Sequence, residues 1–286
     1  MPTLIATPRA RALGFSLKAA REERRMGLRE LARLVHLSAG HLHNWEVGIR
    51  VPKESEVGAL AGCLRLTVEE RERLVLMARH AREPNWLENV VPGAPPLAVT
   101  YAEYERTATA IFNWQLNLVP GLLQTGEYAR VILDNRRISR DELDVRILTR
   151  VARRELLRGP VEFTALIGAS ALYNEVGGKA TMIGQLRHLI EMASRRNVTL
   201  RIVPERVGYH RGLLGCFVIL DFENLPAIVH AEQLGGGTYS SEVAEVAAHR
   251  EVAKTLLSLA LDEAASIRLV EKVLAELTAE LPTAEL

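Results

Sequence analysis

The sequence predicts an α+β protein in which an all-helical N-terminal part precedes a larger mixed α/β part, whose short-stranded sheet is flanked by helices. Three observations carry this prediction. Apolar residues recur near the helical period of about 3.6 residues throughout the first 80 positions. Short β-branched runs alternate with helical stretches in the rest of the chain. A proline-rich segment separates the two patterns.

Four apolar stripes define the helices of the N-terminal part. Short breaks that contain glycine, serine or proline separate them, as expected between consecutive helices. The stripes consist of Leu13, Leu17 and Ala20; Leu31, Ala32, Leu34 and Val35; Leu60, Ala61 and Leu64; and Leu74, Val75 and Met77.

The segment 84–98 reads PNWLENVVPGAPPLA and holds four of the twelve prolines of the chain. Proline fixes the backbone angle φ, lacks an N–H donor and biases the preceding residue away from helix. We therefore expect a linker at 84–98 between an N-terminal domain of residues 1–83 and a C-terminal domain of residues 99–286. The four prolines are Pro84, Pro92, Pro95 and Pro96.

The C-terminal part alternates helical and extended patterns. Residues 125–157, 179–194 and 242–279 have the apolar period and the Leu, Ala, Glu and Arg content of helices. The runs VEFTALIG, VTLRIVP, GCFVILDF and AIVHAEQL are bounded by Gly, Pro or Asn, which is typical of strands. A mixed sheet with helices on its faces accommodates both patterns.

The composition excludes several classes of protein. The net charge of +1 excludes a polycationic tail, although residues 1–80 carry 14 basic against 9 acidic side chains, which suits a nucleic-acid binder. The two cysteines, Cys63 and Cys216, cannot form a disulfide framework or a cysteine-rich zinc site. No apolar run approaches the ~20 residues of a membrane span, and the N-terminal arginines are not followed by the apolar core of a secretory signal. We therefore expect a cytoplasmic protein without membrane contact.

The most specific stretch is ELARLVHLSAGHLHNWEVGIRVP, residues 30–52. It predicts a first helix at Glu30–Val35, a tight turn at His36–Ser38 and a second helix at Ala39–Val47, with Ser38 as its N-cap. In such an arrangement the second helix enters the major groove of DNA while the first crosses the backbone.

This stretch resembles the XRE-class (Cro/repressor-type) helix-turn-helix regulators of actinobacteria that carry a long C-terminal domain of unassigned function. The similarity continues through TVEERERLVLMARHAREPNWL, YERTATAIFNWQLNLVPGLLQTGEYAR, GGKATMIGQLRHLIEMASRRNVTLRIVP and ASIRLVEKVLAEL, so it covers nearly the whole chain. The resemblance implies a DNA-binding domain followed by a domain that senses a ligand or a partner.

The second helix of the motif, Ala39–Val47, which we call the reading helix, departs from the family pattern together with its flanks. Relatives have WERGRRVP where this chain has WEVGIRVP, so Val47 and Ile49 replace two arginines. Relatives usually have Arg or Ser where Asn44 precedes the tryptophan, and a Ser/Thr-Gln pair where this chain has Gly27 and Leu28. Residues 38–47 contain no Lys or Arg, and the only formal charge is that of a glutamate, Glu46.

Because phosphate neutralisation supplies most non-specific affinity for DNA, these departures predict weak or absent DNA binding. One interpretation is that recognition residues vary with the operator, and the other is that this domain no longer depends on DNA. Asparagine pairs well with adenine, and arginine or lysine can hold phosphates. The candidate DNA-binding residues are Arg29, Arg33, His41, His43, Asn44, Arg50 and Lys53.

No catalytic or metal-binding motif such as HExxH, CxxC or GxSxG occurs in the C-terminal domain. His230 and Glu232 lie two residues apart on one predicted strand, so they share a face and could move protons, unless they form an ordinary edge pair. His210 lies in a Gly-flanked loop that could cover a site, with Tyr209 and Arg211 beside it.

The run NWQLNLVPGLLQTGEYAR concentrates amides and aromatic rings near a Val-Pro-Gly turn. An apolar pocket with a few polar groups is typical of a small-molecule site, although the same residues are equally typical of packing between helices. The candidate catalytic residues are His230, Glu232, His210 and Tyr128, and the candidate ligand-binding residues are Trp114, Gln115, Gln124, Asn113 and Tyr209.

Two functions from different classes follow. The chain also resembles a homologue of this family recruited as a macrocyclase for an alchivemycin-type polyketide, which implies dehydration of a β-hydroxyl and Michael-type ring closure without a cofactor or a metal. The lost arginines favour this cyclase hypothesis. The alternative is a transcriptional regulator of secondary metabolism or development that responds to a small-molecule metabolite or a partner. A homodimer is compatible with either.

Overall fold

The computed structural model describes residues 7–82, 85–89, 97–134, 138–233 and 236–280. In chain order these form α1 (Pro8–Glu23), α2 (Leu28–Leu34), α3 (Ala39–Glu46), α4 (Glu54–Cys63), α5 (Val68–His80), β1 (Asn85–Asn89), α6 (Leu97–Thr107), β2 (Ala110–Gln115), α7 (Gly126–Leu133), α8 (Arg140–Ala152) and β3 (Glu162–Gly168). They continue with α9 (Ser170–Tyr173), α10 (Lys179–Ala193), β4 (Val198–Val203), β5 (Phe217–Asp221), β6 (Ile228–Gln233), β7 (Gly236–Ser240), α11 (Val243–Leu259) and α12 (Glu263–Ala279).

The chain folds into two compact units. The first comprises Met1–Tyr104 and Asn224–Val246, and the second comprises Glu105–Glu223 and Ala247–Leu286. The predicted fold class is confirmed, because a helical N-terminal domain is followed by a mixed α/β region.

The described part of the first unit contains the five N-terminal helices, most of α6 and three strands. The predicted apolar stripes supply its helical core, in which Leu13, Leu31, Leu60 and Leu74 are almost completely buried. Helix α1 packs against α3 and α5, α2 against α3, and α4 against α5. Strand β7 pairs with both β1 and β6, antiparallel in each case, so the strand order is β1-β7-β6.

The second unit contains a mixed sheet of order β5-β2-β3-β4. Strand β2 pairs antiparallel with β5 and parallel with β3, and β3 pairs parallel with β4. Helices α10 and α12 pack against each other and against β4. The Ile202 N–H of β4 donates to the Ser266 hydroxyl of α12 at 2.9 Å, which fixes this helix on the strand edge.

The observed division differs from the predicted linker at 84–98. Asn85–Asn89 forms a strand, and α6 begins at Leu97. Residues 85–89 include no proline, so their backbone N–H groups can pair in a sheet. Because β1 pairs with β7, residues 224–246 belong to the first unit. Pro84, Pro92, Pro95 and Pro96 lie outside the described residues.

Candidate functional site

Helix α3 begins as predicted, because the Ser38 hydroxyl accepts a hydrogen bond from the His41 N–H at 3.1 Å. The helix ends at Glu46, one residue earlier than predicted. Helix α2 spans Leu28–Leu34, so it begins two residues earlier than the predicted first helix. Its N-cap, Gly27, has no side chain to offer, and the Glu30 carboxylate accepts from the Gly27 N–H at 3.3 Å.

The inner face of α3 is anchored in the core of the first unit. Leu42 and Trp45 are buried, and the His41 ring meets the Trp45 ring edge-on at 5.0 Å. This packing presents the opposite face of the helix outward.

Glu46 points into the unit rather than toward the outer surface. Its two carboxylate oxygens accept from Arg21 Nε at 2.6 Å and from a terminal nitrogen of the same guanidinium at 2.8 Å. Both side chains are almost fully buried, and this hydrogen bond is the main cause that raises the pKa of Arg21. The only formal charge on the reading helix is therefore neutralised internally and does not repel DNA.

The outer surface of α2, α3 and the following loop carries the candidate DNA-binding residues. His43 is exposed, whereas His41 and Asn44 are half-buried. Arg29, Arg33, Arg50 and Lys53 are all exposed, and none of the four forms an ion pair with another described residue. Val47 is half-buried and Ile49 is 40% exposed at the end of the helix.

Two of the C-terminal candidates meet in the second unit. The Trp114 indole N–H donates to the Gly212 carbonyl at 2.9 Å, and the rings of Trp114 and His210 lie 6.1 Å apart, edge to face. Both side chains are buried, and His210 Nδ1 has no hydrogen-bond partner among the described residues. Tyr209, next to this buried histidine, is 76% exposed.

Tyr128 and Gln124 hold the chain at the Val-Pro-Gly turn. The Tyr128 hydroxyl accepts from the Val119 N–H at 3.2 Å, and Gln124 Nε2 donates to the Val119 carbonyl at 2.8 Å. Arg150 donates to Gln124 Oε1 at 2.9 Å. Burial raises the pKa of Tyr128, which keeps its hydroxyl protonated. These polar groups are thus engaged with neighbouring backbone and side-chain atoms.

A further amide of this cluster, Gln185 on α10, was missed by the sequence reasoning. It is completely buried, accepts from the Thr125 N–H at 2.8 Å and donates to the Leu123 carbonyl at 2.7 Å. Its only signal in the sequence is a glutamine on the apolar stripe of a helix.

Asn113 and Gln115 are buried on β2, on the face opposite to that of Trp114. Asn113 Oδ1 has no hydrogen-bond partner among the residues that the structure describes. The structure therefore places Trp114 on one face of β2 and the two amides, Asn113 and Gln115, on the other.

His230 and Glu232 lie on β6 of the first unit, whereas His210 and Tyr128 belong to the second. The His230 ring is buried, stacked on Tyr239 at 4.4 Å and tilted against another tyrosine ring at 4.9 Å. Glu232 is exposed.

Among the described residues, no helix is both long and apolar enough to cross a membrane. Within the same part of the chain, no group of three or more His, Cys, Asp or Glu side chains could hold a metal ion.

The family comparisons agree with this architecture. A family model described as a helix-turn-helix domain matches residues 12–74, which gives the N-terminal part the character of a DNA-binding regulator. A model described as a domain of unknown function (DUF5753) matches residues 98–272, and the chain belongs to this family.

Among solved structures, the crystal structure of the clp gene regulator ClgR from C. glutamicum is similar to this chain at 24% identity. The match covers 26% of this chain and 91% of that one, with a TM-score of 0.22. No curated protein matches. None of these comparisons gives evidence of polyketide cyclase activity.

Proposed function

We propose that the chain is a transcriptional regulator that binds duplex DNA with modest affinity through α3 and its flanks. The observation that carries this proposal is the division of α3 into two faces. Trp45 and Glu46 fasten the inner face to the unit, and His43 and Asn44 lie outside that anchored core. A helix held this firmly loses little conformational entropy when it binds, which favours recognition.

The charges around α3 support phosphate contacts. Arg29 and Arg33 on α2, with Arg50 and Lys53 after α3, are exposed and not neutralised by described acidic neighbours. In helix-turn-helix domains, the elements that flank the reading helix contact the DNA backbone. Four such cations are fewer than the 6–10 phosphate contacts of a strongly salt-dependent binder, so the proposed affinity is modest.

The second unit is the proposed sensor of a small-molecule metabolite or partner. The loop that holds Tyr209 also carries Leu214, which is 72% exposed. Large apolar side chains exposed together are typical of interaction sites. A homodimer would place two copies of α3 on half-sites about one helical turn apart.

The cyclase hypothesis has less support. Tyr128 and Gln124 use their polar atoms to hold the backbone at Val119, and the His230 ring is stacked on Tyr239. It remains testable, because it requires purified protein to convert a linear polyketide precursor without added cofactor.

The test of the regulator proposal is the affinity of the full-length protein for duplex DNA from upstream of its own gene, compared with a shuffled duplex of equal composition. We expect a preference for the upstream duplex, which Asn44→Ala reduces about tenfold, since one good base contact contributes about 1–3 kcal/mol. Asn174→Ala, an exposed asparagine of the second unit, is the matched control. Equal affinity of the wild-type protein for both duplexes would overturn the proposal.

A further inference from the structure

The end of the reading helix is in close contact with the backbone of α1. A Cβ atom added at Gly14 would lie 2.5 Å from the carbonyl oxygens of both Trp45 and Glu46. Gly48, with a φ of +77°, would bring its Cβ within 2.6 Å of the Arg11 Cα. Arg11 and Gly14 are three residues apart and therefore lie on one face of α1. This contact leaves no space for α3 to shift independently of α1.

The side chain of Arg11 connects this contact between α1 and α3 to residues of the first unit that belong to the C-terminal family domain. The guanidinium is completely buried, lies 5.0 Å from the centre of the Tyr104 ring of α6 and donates to the Pro226 carbonyl at 3.5 Å. Burial lowers the pKa of Arg11 to about 10, so the group is still charged at neutral pH. A cation against an aromatic face is strongly attracted when both are shielded from water.

The contact continues from Tyr104 into the β6–β7 strands. Tyr104 is buried, donates a hydrogen bond from its hydroxyl to the Pro8 carbonyl and meets Phe15 of α1 edge-on at 5.5 Å. Its ring lies 5.6 Å from that of Tyr239, which stacks on His230. Packed aromatic side chains of this kind resist independent movement. The β6 and β7 strands are therefore connected, through these side-chain contacts, to the contact between α1 and α3.

We propose that Arg11 is a positioning residue through which α6 and the β6–β7 strands of the C-terminal family domain fix the reading helix. The backbone of Arg11 supports the turn after α3, while its guanidinium is held by Tyr104 and Pro226. A ligand or partner that displaces these strands therefore changes the DNA-binding surface. This consequence for DNA rests on the proposed function, whereas the positioning of α3 does not.

Hydrogen exchange of the full-length protein tests the positioning without DNA. We expect Arg11→Met, which keeps an unbranched apolar side chain but removes the cation, to speed exchange of the backbone amides of residues 45–50 about tenfold, with the amides of α5 unchanged. Local opening of this kind is read directly by exchange. The matched control is Arg9→Met on the same helix, since Arg9 lies beside Leu76 and Met77 of α5 instead.

The second readout is DNA affinity, measured well below the melting temperature of each variant. Arg11→Met is expected to lower it about tenfold, within the range of coupling residues, and Arg11→Lys to restore part of the loss. A purely structural role would lower the melting temperature and leave both readouts unchanged in the folded protein, which would overturn the proposal. If Arg11→Met does not fold, exchange of the backbone amides of residues 45–50 is measured in Arg11→Lys instead. An unchanged exchange rate in that variant would overturn the proposal. Absence of DNA binding by the wild-type protein would refute the proposed function alone.

Discussion

Arg21 of α1 and Glu46 of α3 form a bidentate salt bridge inside the first unit, with donor–acceptor distances of 2.6 and 2.8 Å. The third nitrogen of the guanidinium donates to the Met26 carbonyl at 2.9 Å, so each of its three nitrogens has an acceptor. The pair joins the first helix of the domain to the end of the reading helix. Arg21 therefore stabilises the part of the chain on which the proposed DNA contacts depend.

We expect Glu46→Ala to lower the free energy of unfolding of the first unit by about 3–5 kcal/mol, because it leaves a buried cation without its counter-charge. Urea unfolding measures this loss. The control is Glu54→Ala, which removes a solvent-exposed pair with Arg79 and should cost far less, because water screens an exposed pair. Equal losses in the two variants would show that the buried pair has no special role.

Restoring the family's arginines should strengthen non-specific DNA binding. The double variant Val47→Arg/Ile49→Arg adds two cations beside the reading helix, and each new phosphate contact steepens the salt dependence by about 0.9. The control, Val145→Arg/Leu148→Arg, adds the same charges at exposed positions of α8. Fluorescence anisotropy with a random duplex measures both. An unchanged affinity of the first variant would show that residues 47 and 49 do not face the phosphates.

Tyr128→Phe should lower stability rather than remove a catalytic acid. It deprives the buried Val119 N–H of its acceptor, which costs about 1–3 kcal/mol. The measurement is the melting temperature, recorded beside the conversion of a linear polyketide by wild-type and variant proteins. Turnover by the wild-type protein that Tyr128→Phe abolishes, with an unchanged melting temperature, would instead support the cyclase hypothesis.

The stability of the second unit should fall as the pH drops below about 6.5. Burial, with a further contribution from Arg154, lowers the pKa of His188 from its ordinary value of 6.5. Arg154 donates to His188 Nε2 at 2.9 Å, which requires this nitrogen to be unprotonated. The unfolded chain thus takes up the proton at a higher pH than the folded chain, so stability rises with pH in this window. Melting temperatures across it should vary less in His188→Gln; an identical pH dependence would contradict the assignment.

Most of the helices and four of the strands, β3 to β6, could be predicted because each has a strong local pattern. Three strands, β1, β2 and β7, could not. Half of β2 lies in the run NWQLNLVPGLLQTGEYAR, whose amides and aromatic rings predicted a pocket rather than a strand. Strand β7 reads GGTYS, without an apolar run, and it is stabilised by pairing with β1 and β6. Strand β1 lies in a proline-rich segment, and its partner is more than 140 positions away in the sequence. Pairing between distant segments leaves little trace in either one.

In the candidate site, too, only the features that depend on neighbouring residues could be predicted. The Ser38 N-cap follows from local chemistry and is confirmed. The inward direction of Glu46 depends on Arg21, which lies 25 positions earlier, and the composition of α3 does not reveal it. Whether Gln124 faces a cavity or the backbone depends on the turn at Val119, which the residue types alone do not specify.

The salt dependence of DNA binding tests the central claim most directly. We expect the wild-type protein to bind duplex DNA with a slope of log Kd against log salt concentration of about 4 or less, from its four exposed cations, and Arg33→Ala/Arg50→Ala to reduce this slope by about 1.8. Arg73→Ala, an exposed arginine of α5, should leave it unchanged. A wild-type slope that the double variant does not alter, or no binding at low salt, would contradict DNA binding through this surface.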